Sequence, residues 1–494
     1  MRGTSSTMNP AKCAPHGSML APLVGLVALV AAACAGPARQ APIVPRKISV
    51  ILPDDPLAVK FRHDTALLPV SSGSETRLQN GIRILQLRRA GSGLVDVSLM
   101  VRYPLTENAA LAGVTANAVA RETREVAGVT LGQRSAELGS ALGVQTGLGA
   151  TWFTFRVLKT DALQAAKLLN RMIDLPLSDA DGIREARRRY RLIQVTNLAQ
   201  ADYLANRRLL QTMYGADDPL ARIWLDADAV AAIDTDAVTA FQRRWYRPEH
   251  MVLIVAGDLV AGFIDGLKKF AGRQPVQGVP PLQPLLFHPP LLERPRLVIV
   301  DRPKAAQVEV RLGLPGPDIH APDYPAMRVL SELLGGGSAG RLFKDLRARQ
   351  GLTYDVSAQL WRQGLLVVSM AMAHEKFAAA LSALLQHLQA LRATAPSVRE
   401  LQQVKYRLAA RLALAGENTD ALEEMGIGLG RSGLPATFAG SLQAGIAAVT
   451  VADIQRVIDR YLTARASIVA VGDKRVLRES VARFLPELAA WKNR

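Results

Sequence analysis

The sequence predicts an α+β protein of two tandem homologous domains, each a mixed, mostly antiparallel sheet with helices packed on one face. Three observations predict it. Short runs of strand periodicity are followed by longer runs of helical periodicity, and the whole order occurs twice. Leu-Ile-Val-Ala-Gly-Asp at 253–258 returns 215 positions later as Ile-Val-Ala-Val-Gly-Asp at 468–473. Between the copies, seven prolines fall within 274–296, a density that no regular helix or central strand tolerates.

The elements follow in order. Residues 1–34 carry Arg2 and Lys12 and then an apolar run, Leu20–Ala33, too short to span a bilayer but suited to the core of a signal peptide. Leu-Val-Ala-Ala-Ala-Cys-Ala-Gly around Cys34 resembles a bacterial lipoprotein signal, in which the cysteine is lipidated. Ordinary signal-peptide cleavage at the same small residues is the alternative. By the lipoprotein resemblance, Ala35 after the cysteine points to the outer membrane. Residues 35–75, rich in Pro and Ser, read as a tether.

A first domain is expected over 76–273. Gly81–Arg88 and Val95–Tyr103 read as strands, Leu111–Glu125 and Gly132–Leu142 as helices, and Val144–Thr146 and Thr151–Val157 as strands. Asp161–Ile173 reads as a helix, Glu185–Met213 as a long helix or a pair, Asp236–Trp245 as a helix and Met251–Ala256 as a buried strand. The Pro-rich linker 274–296 precedes a second domain over 297–494. There, strands are expected at Leu297–Val300, Val308–Leu314, Leu352–Trp361, Leu365–Ala373 and Ala466–Val471. Helices are expected at Tyr324–Leu334, Glu375–Arg392, Ser397–Ala415 and Val451–Tyr461, with Asp234 and Thr450 as matching N-caps in the two copies.

Composition narrows the function. The 494 residues are 49% hydrophobic and 21% charged, as in a well-cored globular chain of more than one domain. The net charge of +17 is scattered, and aromatics are only 5%, so the basic stripe with interleaved aromatics of a nucleic-acid binder is absent and no nucleic-acid partner is expected. A basic surface suits an anionic membrane. Cys13 and Cys34 are the two cysteines, which excludes a zinc-thiolate site and a disulfide framework in the body of the chain. None of the seven histidines has another four residues away. Single histidines of this kind are expected at the surface or as caps, so no metal site is expected in this chain.

The stretch Leu334–Val356 is the most informative. Gly335, Gly336 and Gly337 give a loop that another chain can approach closely. Leu342, Phe343 and Leu346 share a helical face, Gly351 is placed to stop the helix, and Tyr354 is expected just inside a strand. Arg347, near the helix end, and Tyr354 can then face one spot. Either they serve a site, or Arg347 caps its helix and Tyr354 packs at the rim of the core.

Gly340-Arg341-Leu342-Phe343 through Gly351-Leu352-Thr353-Tyr354, with Asn80-Gly81-Ile82-Arg83-Ile84 and Trp245-Tyr246-Arg247-Pro248-Glu249-His250-Met251, resembles the pitrilysin/insulinase-type (M16) zinc metallopeptidase family over about residues 76–490. The family's enzymes bind zinc through His-x-x-Glu-His on the first helix and a later Glu. Aligned on Gly113-Val114, those positions hold Ala116, Val119 and Ala120, and the later Glu falls near Gln194. None of these side chains can replace the zinc-bound imidazoles or the general base. In the family, an Arg and a Tyr spaced as Arg347 and Tyr354 hold the substrate carbonyl and stabilise the oxyanion. The resemblance therefore implies a degenerate subunit without cofactor that offers Arg347 and Tyr354, with the Gly335–Gly337 loop, to peptide substrates. The zinc would be in a partner M16-type subunit with an intact His-x-x-Glu-His motif, in an exported, periplasmic heterodimer. A non-enzymatic peptide-binding or scaffold protein of the envelope is the alternative.

Overall fold

The computed structural model describes residues 73–491, except 123, 127, 176, 178, 223–229, 272–281, 291 and 464–465. The expected signal segment with Cys34, and most of the expected tether, lie outside the described residues.

The first sheet contains β1 (Gly73–Arg77), β2 (Arg83–Arg88), β3 (Leu94–Arg102), β6 (Gly143–Gly147), β7 (Ala150–Leu158) and β8 (Met251–Gly257). β4 (Glu125–Val126) and β5 (Val129–Thr130) form a separate ribbon. The second sheet contains β9 (Arg296–Asp301), β10 (Val308–Pro315), β11 (Asp355–Trp361), β12 (Leu365–Met372) and β13 (Ser467–Gly472). The strand orders are β1-β2-β8-β3-β7-β6 and β11-β12-β10-β13-β9. Reversing the second and omitting the edge strand β1 makes the two orders identical. The single parallel pair of each sheet matches too, β2 with β8 and β9 with β13.

The repeated Gly-Asp explains itself in this frame. Asp258, just after β8, accepts a hydrogen bond from the Gly93 N–H at 3.3 Å, and Asp473, just after β13, accepts one from the Lys304 N–H at 2.9 Å. In both copies the carboxylate ties down the loop that feeds the neighbouring strand. Gly257 has φ +127, and a β-carbon there would lie 2.3 Å from the Leu94 carbonyl, so the position requires glycine. Asp234 and Thr450 cap the matching helices Thr235–Trp245 and Val451–Tyr461, the latter in a capping box with Asp453.

One face of each sheet carries helices of its own half, and one helix is exchanged onto the other face. Helix Ala201–Tyr214 sends Ala205, Leu209, Leu210 and Met213 against Leu365, Val367, Val469 and Val471 of the second sheet. Helix Thr419–Ser432 lies on the first sheet, where Glu423 accepts from Ser98 Oγ at 2.8 Å and Thr154 Oγ1 at 2.7 Å. Arg156 binds Asp96 through two 2.7 Å hydrogen bonds and also reaches Asp420 on that helix.

Several boundaries differ from expectation. The first helix is Ala109–Val119, not Leu111–Glu125. The buried Arg124 guanidinium stops it, donating to the carbonyls of Val119, Met172 and Leu175, and Glu125 enters β4 instead. The second helix is shortened to Leu131–Glu137. The span expected at 185–213 is a pair, Ala180–Leu198 and Ala201–Tyr214. β1 pairs with β2 and begins within the expected tether; its polar sequence, with only Gly73 buried, gives no alternation to read. The chain over 282–290 has neither helix nor strand.

Candidate functional site

The stretch Leu334–Val356 begins where helix Tyr324–Gly335 meets β11. A β-carbon on Gly335 would fall 1.9 Å from the Ala358 backbone nitrogen, so packing alone requires that glycine. Gly336 is crowded by Glu332, whose buried carboxylate pairs with Arg407 at 3.3 Å and Arg411 at 2.8 Å. Gly337 is exposed, with φ +65 and open space around its α-carbon.

The next turn, Phe343–Arg349, is a π-helix, a rare widened turn that occurs frequently at functional sites. Leu342 and Leu346 are buried beneath it, and Phe343 packs against the same core. Three side chains pin it. Asp345 accepts hydrogen bonds from Gln350 at 3.0 Å and from His387, and pairs with Arg349. Burial opposes ionisation of Asp345, but these bonds win and hold its pKa below the usual carboxylate value. Arg341 binds Glu400 through Nε at 2.7 Å and Nη2 at 2.5 Å, fastening the turn to helix Val398–Ala415.

Gly351, at φ +60, ends the turn with its N–H donating to the Arg347 carbonyl at 3.2 Å. The chain thus reverses directly beyond Arg347. Tyr354 lies one residue before β11 rather than inside it, held by its N–H on the Ala371 carbonyl at 2.8 Å. Gly351 interrupts the alternation that sequence periodicity extends back to Leu352. Arg347 is exposed, with its guanidinium over the Phe343 ring at 4.8 Å. Tyr354 is 56% exposed, and among the described residues its hydroxyl has no hydrogen-bond partner. The two donor-bearing side chains lie on either side of one reversal, next to a turn that Asp345, His387 and Arg341 pin.

The positions aligned with the zinc motif are far less open. Ala116 and Val119 have no exposed surface, and Ala120 packs partly buried on the same core. Tyr190, from helix Ala180–Leu198, lies against Gly113 one turn earlier, and its hydroxyl, pushed up by burial, stays protonated. Gln194, one turn on from Tyr190, is buried and accepts from the Tyr203 hydroxyl at 3.1 Å. These residues do not fit zinc, and among the described residues no group of three or more His, Cys, Asp or Glu could hold a metal ion.

The histidines divide. His374 accepts the Asp473 N–H at 3.2 Å, a cap as expected. His387 supports Asp345, a role that distance in sequence concealed. His250 is only 2% exposed, packed on Trp245, rather than at the surface.

Two sheets of matching order, each with helices on one face, are the fold of the M16-type structures to which this chain is similar. Residues 232–408 match the family model described as the Peptidase M16 inactive domain. That match covers little more than a third of the chain. An uncharacterized zinc protease of Streptomyces coelicolor is 33% identical over 150 residues, 29% of this chain and 32% of that one. One of Mycobacterium tuberculosis is 32% identical over 174 residues, 34% of this chain and 39% of that one. The matches therefore span 32% and 39% of these relatives. Among solved structures, the M16 inactive domain from Pseudomonas fluorescens superposes with a TM-score of 0.70 at 20% identity, over 81% of this chain and 98% of that one. The periplasmic protease PqqL of Escherichia coli gives 0.68 at 15% identity, over 87% of this chain and 51% of that one. No described helix is long and apolar enough to cross a membrane.

Proposed function

We propose that this chain is the non-catalytic, substrate-binding subunit of an exported heterodimeric M16-type zinc metallopeptidase. The observation that carries the reading is the contrast between the two halves. Ala116 and Val119 are sealed in the core, whereas Arg347 and Tyr354 stand open on a pinned turn. Donors kept exposed and rigid suit a peptide carbonyl and the negative charge that develops on it. Arg347 would supply a guanidinium, Tyr354 a phenol O–H, and the exposed Gly337 room for a substrate backbone. The partner, an M16-type subunit with His-x-x-Glu-His, would hold the zinc and the general base. Export rests on the apolar segment before Cys34 and on likeness to a periplasmic protease; Cys34 would carry the lipid that anchors the complex to the outer membrane.

The test is co-expression with an M16 homologue carrying the intact motif, followed by peptide-cleavage assays. Activity that needs this chain, and that falls in Arg347→Ala and Tyr354→Phe while the complex stays assembled, is the expected result. Full activity of the partner alone would overturn the subunit role and leave a scaffold.

A further inference from the structure

Helix Ala109–Val119 is buried along nearly its whole length, and helix Ala180–Leu198 lies over it through the Tyr190 ring on Gly113. The second helix is therefore an outer layer of the first half. Ile183, Ala186, Tyr190 and Gln194 recur at helical spacing and make its buried stripe. Its outer face ends in a feature that this packing does not require. Leu192, Ile193 and Val195 are 66%, 41% and 49% exposed, and nowhere else among the described residues do three large exposed hydrophobics fall within one helical turn. A lone exposed leucine needs no explanation, but three adjoining ones mark a surface that something covers.

The charges beside them point to the occupant. Arg188 stands four residues before Leu192, Arg189 before Ile193 and Arg191 before Val195, so each aliphatic side chain has an exposed arginine one turn below it. Arg184 pairs with Asp181 and Arg187 donates to the Ala231 and Ile233 carbonyls, but Arg188 and Arg189 have no carboxylate partner among the described residues. No Asp or Glu occurs between Ala186 and Ala201.

Aliphatic side chains with a cationic collar fit the boundary of an anionic bilayer. Leucine, isoleucine and valine enter the acyl edge, while an arginine stem lies along apolar surface and its guanidinium reaches the phosphate headgroups. A protein partner would have to bring carboxylates into register with the arginines, and this face offers none of the exposed aromatic residues that anchor protein interfaces. A bilayer supplies hydrocarbon and dense negative charge together, without register. The net charge of +17 adds attraction of the same sign. We propose that the C-terminal part of helix Ala180–Leu198 seats the protein on a membrane surface that carries anionic phospholipid. This contact is separate from the peptidase role and from any lipid on Cys34.

The experiment uses the full chain with Cys13→Ser and Cys34→Ser, which removes both native thiols and the acylation site. A polarity-sensitive fluorophore on Thr196→Cys reports from the patch, and one on Ser441→Cys from an exposed position in the second half. The probes are vesicles of phosphatidylcholine with and without phosphatidylglycerol, and polyglutamate. Phosphatidylglycerol vesicles should shift the Thr196 emission saturably to the blue and leave that of Ser441 unmoved, with neutral vesicles weaker by about tenfold or more. Salt near 1 M, where the screening length is about 3 Å, should remove that preference. Arg188→Gln with Arg189→Gln should cost about tenfold in vesicle affinity, and Leu192→Gln with Ile193→Gln a similar factor. All four positions are exposed and Gln suits a helix, so both double variants should fold, which unfolding curves check. An unmoved Thr196 label, a shift shared equally with Ser441, equal response to both vesicles, or a folded Arg188→Gln, Arg189→Gln chain that binds as the unaltered chain does would overturn the assignment. So would a Thr196 shift with polyglutamate and not with vesicles, which would give the face to an acidic protein segment.

Discussion

The Tyr190 ring lies directly on Gly113: a β-carbon at that glycine would fall 2.2 Å from ring Cζ and 2.5 Å from the phenol oxygen. Ala116 and Val119 follow within two turns, both without exposed surface. The positions aligned with the family's zinc motif are therefore closed by packing. Restoring the motif as Ala116→His, Val119→Glu, Ala120→His should not restore zinc. Forcing larger polar groups into a close-packed space should instead cost about 3 kcal/mol or more. Metal analysis and thermal unfolding check this; a folded triple variant with one tightly bound zinc would refute it.

The Arg347 and Tyr354 side chains support little of the fold, because both are exposed. Arg347→Ala and Tyr354→Phe should change unfolding free energy by no more than about 0.5 kcal/mol. In the proposed complex, each should lower kcat by about 10²-fold to 10³-fold, the usual loss for one oxyanion donor. Urea unfolding and peptide turnover, measured on the same preparations, separate the two effects. A large stability loss with proportionate activity loss would mean that the residues are structural.

The fold was highly legible, since strand alternation and the repeated Gly-Asp depend on local pattern. Leu253–Asp258 and Ile468–Asp473 do occupy the same place in two sheets of the same order. What escaped was long-range. Arg124 ends a helix by reaching carbonyls at Met172 and Leu175, and no local signal marks that stop. Helix Thr419–Ser432 crosses to the first sheet through Glu423, an unremarkable glutamate in sequence. At the candidate site, Gly351 and the Arg/Tyr spacing were readable. The support from His387, 42 positions beyond Asp345, was not. Burial of His250 was equally hidden, because the strand ends around it come from three separate parts of the chain.

Asp345 gives the site a pH signature. Its folded pKa is held below the ordinary aspartate value, so folding favours the ionised form. That stabilisation is present above the unfolded pKa and is lost as pH falls through the folded value. Asp345→Asn should be less stable than the unaltered chain at pH 7, and the gap should narrow as pH drops below about 4. Turnover by the proposed complex should also fall, because the turn under Arg347 loses its ties to His387 and Arg349. Urea midpoints across this pH range check the first point. Parallel midpoint curves would show that Asp345 does not contribute through its charge.

Three glycines test how the exchanged helices hold the halves together. A β-carbon on Gly426 would lie 2.4 Å from Ile254 Cγ2, deep in the seam between helix Thr419–Ser432 and the first sheet. On Gly313 of β10 it would lie 2.8 Å from Leu209 Cδ1, the movable end of a side chain on the other exchanged helix. On Gly440, inside helix Phe438–Ala448, it would meet nothing within 4 Å. Overpacking costs about 1–3 kcal/mol, whereas Gly to Ala in an unobstructed helix gains about 1 kcal/mol. Thermal unfolding should rank Gly440→Ala at or above the unaltered chain, Gly313→Ala below it and Gly426→Ala lowest. The order follows from how far each neighbour can yield: Leu209 can rotate its methyl away, while Ile254 is β-branched and held in the middle of a strand. A Gly426→Ala chain as stable as Gly440→Ala would mean that the helix rides loosely on the sheet, and that the seam does not fix the two halves.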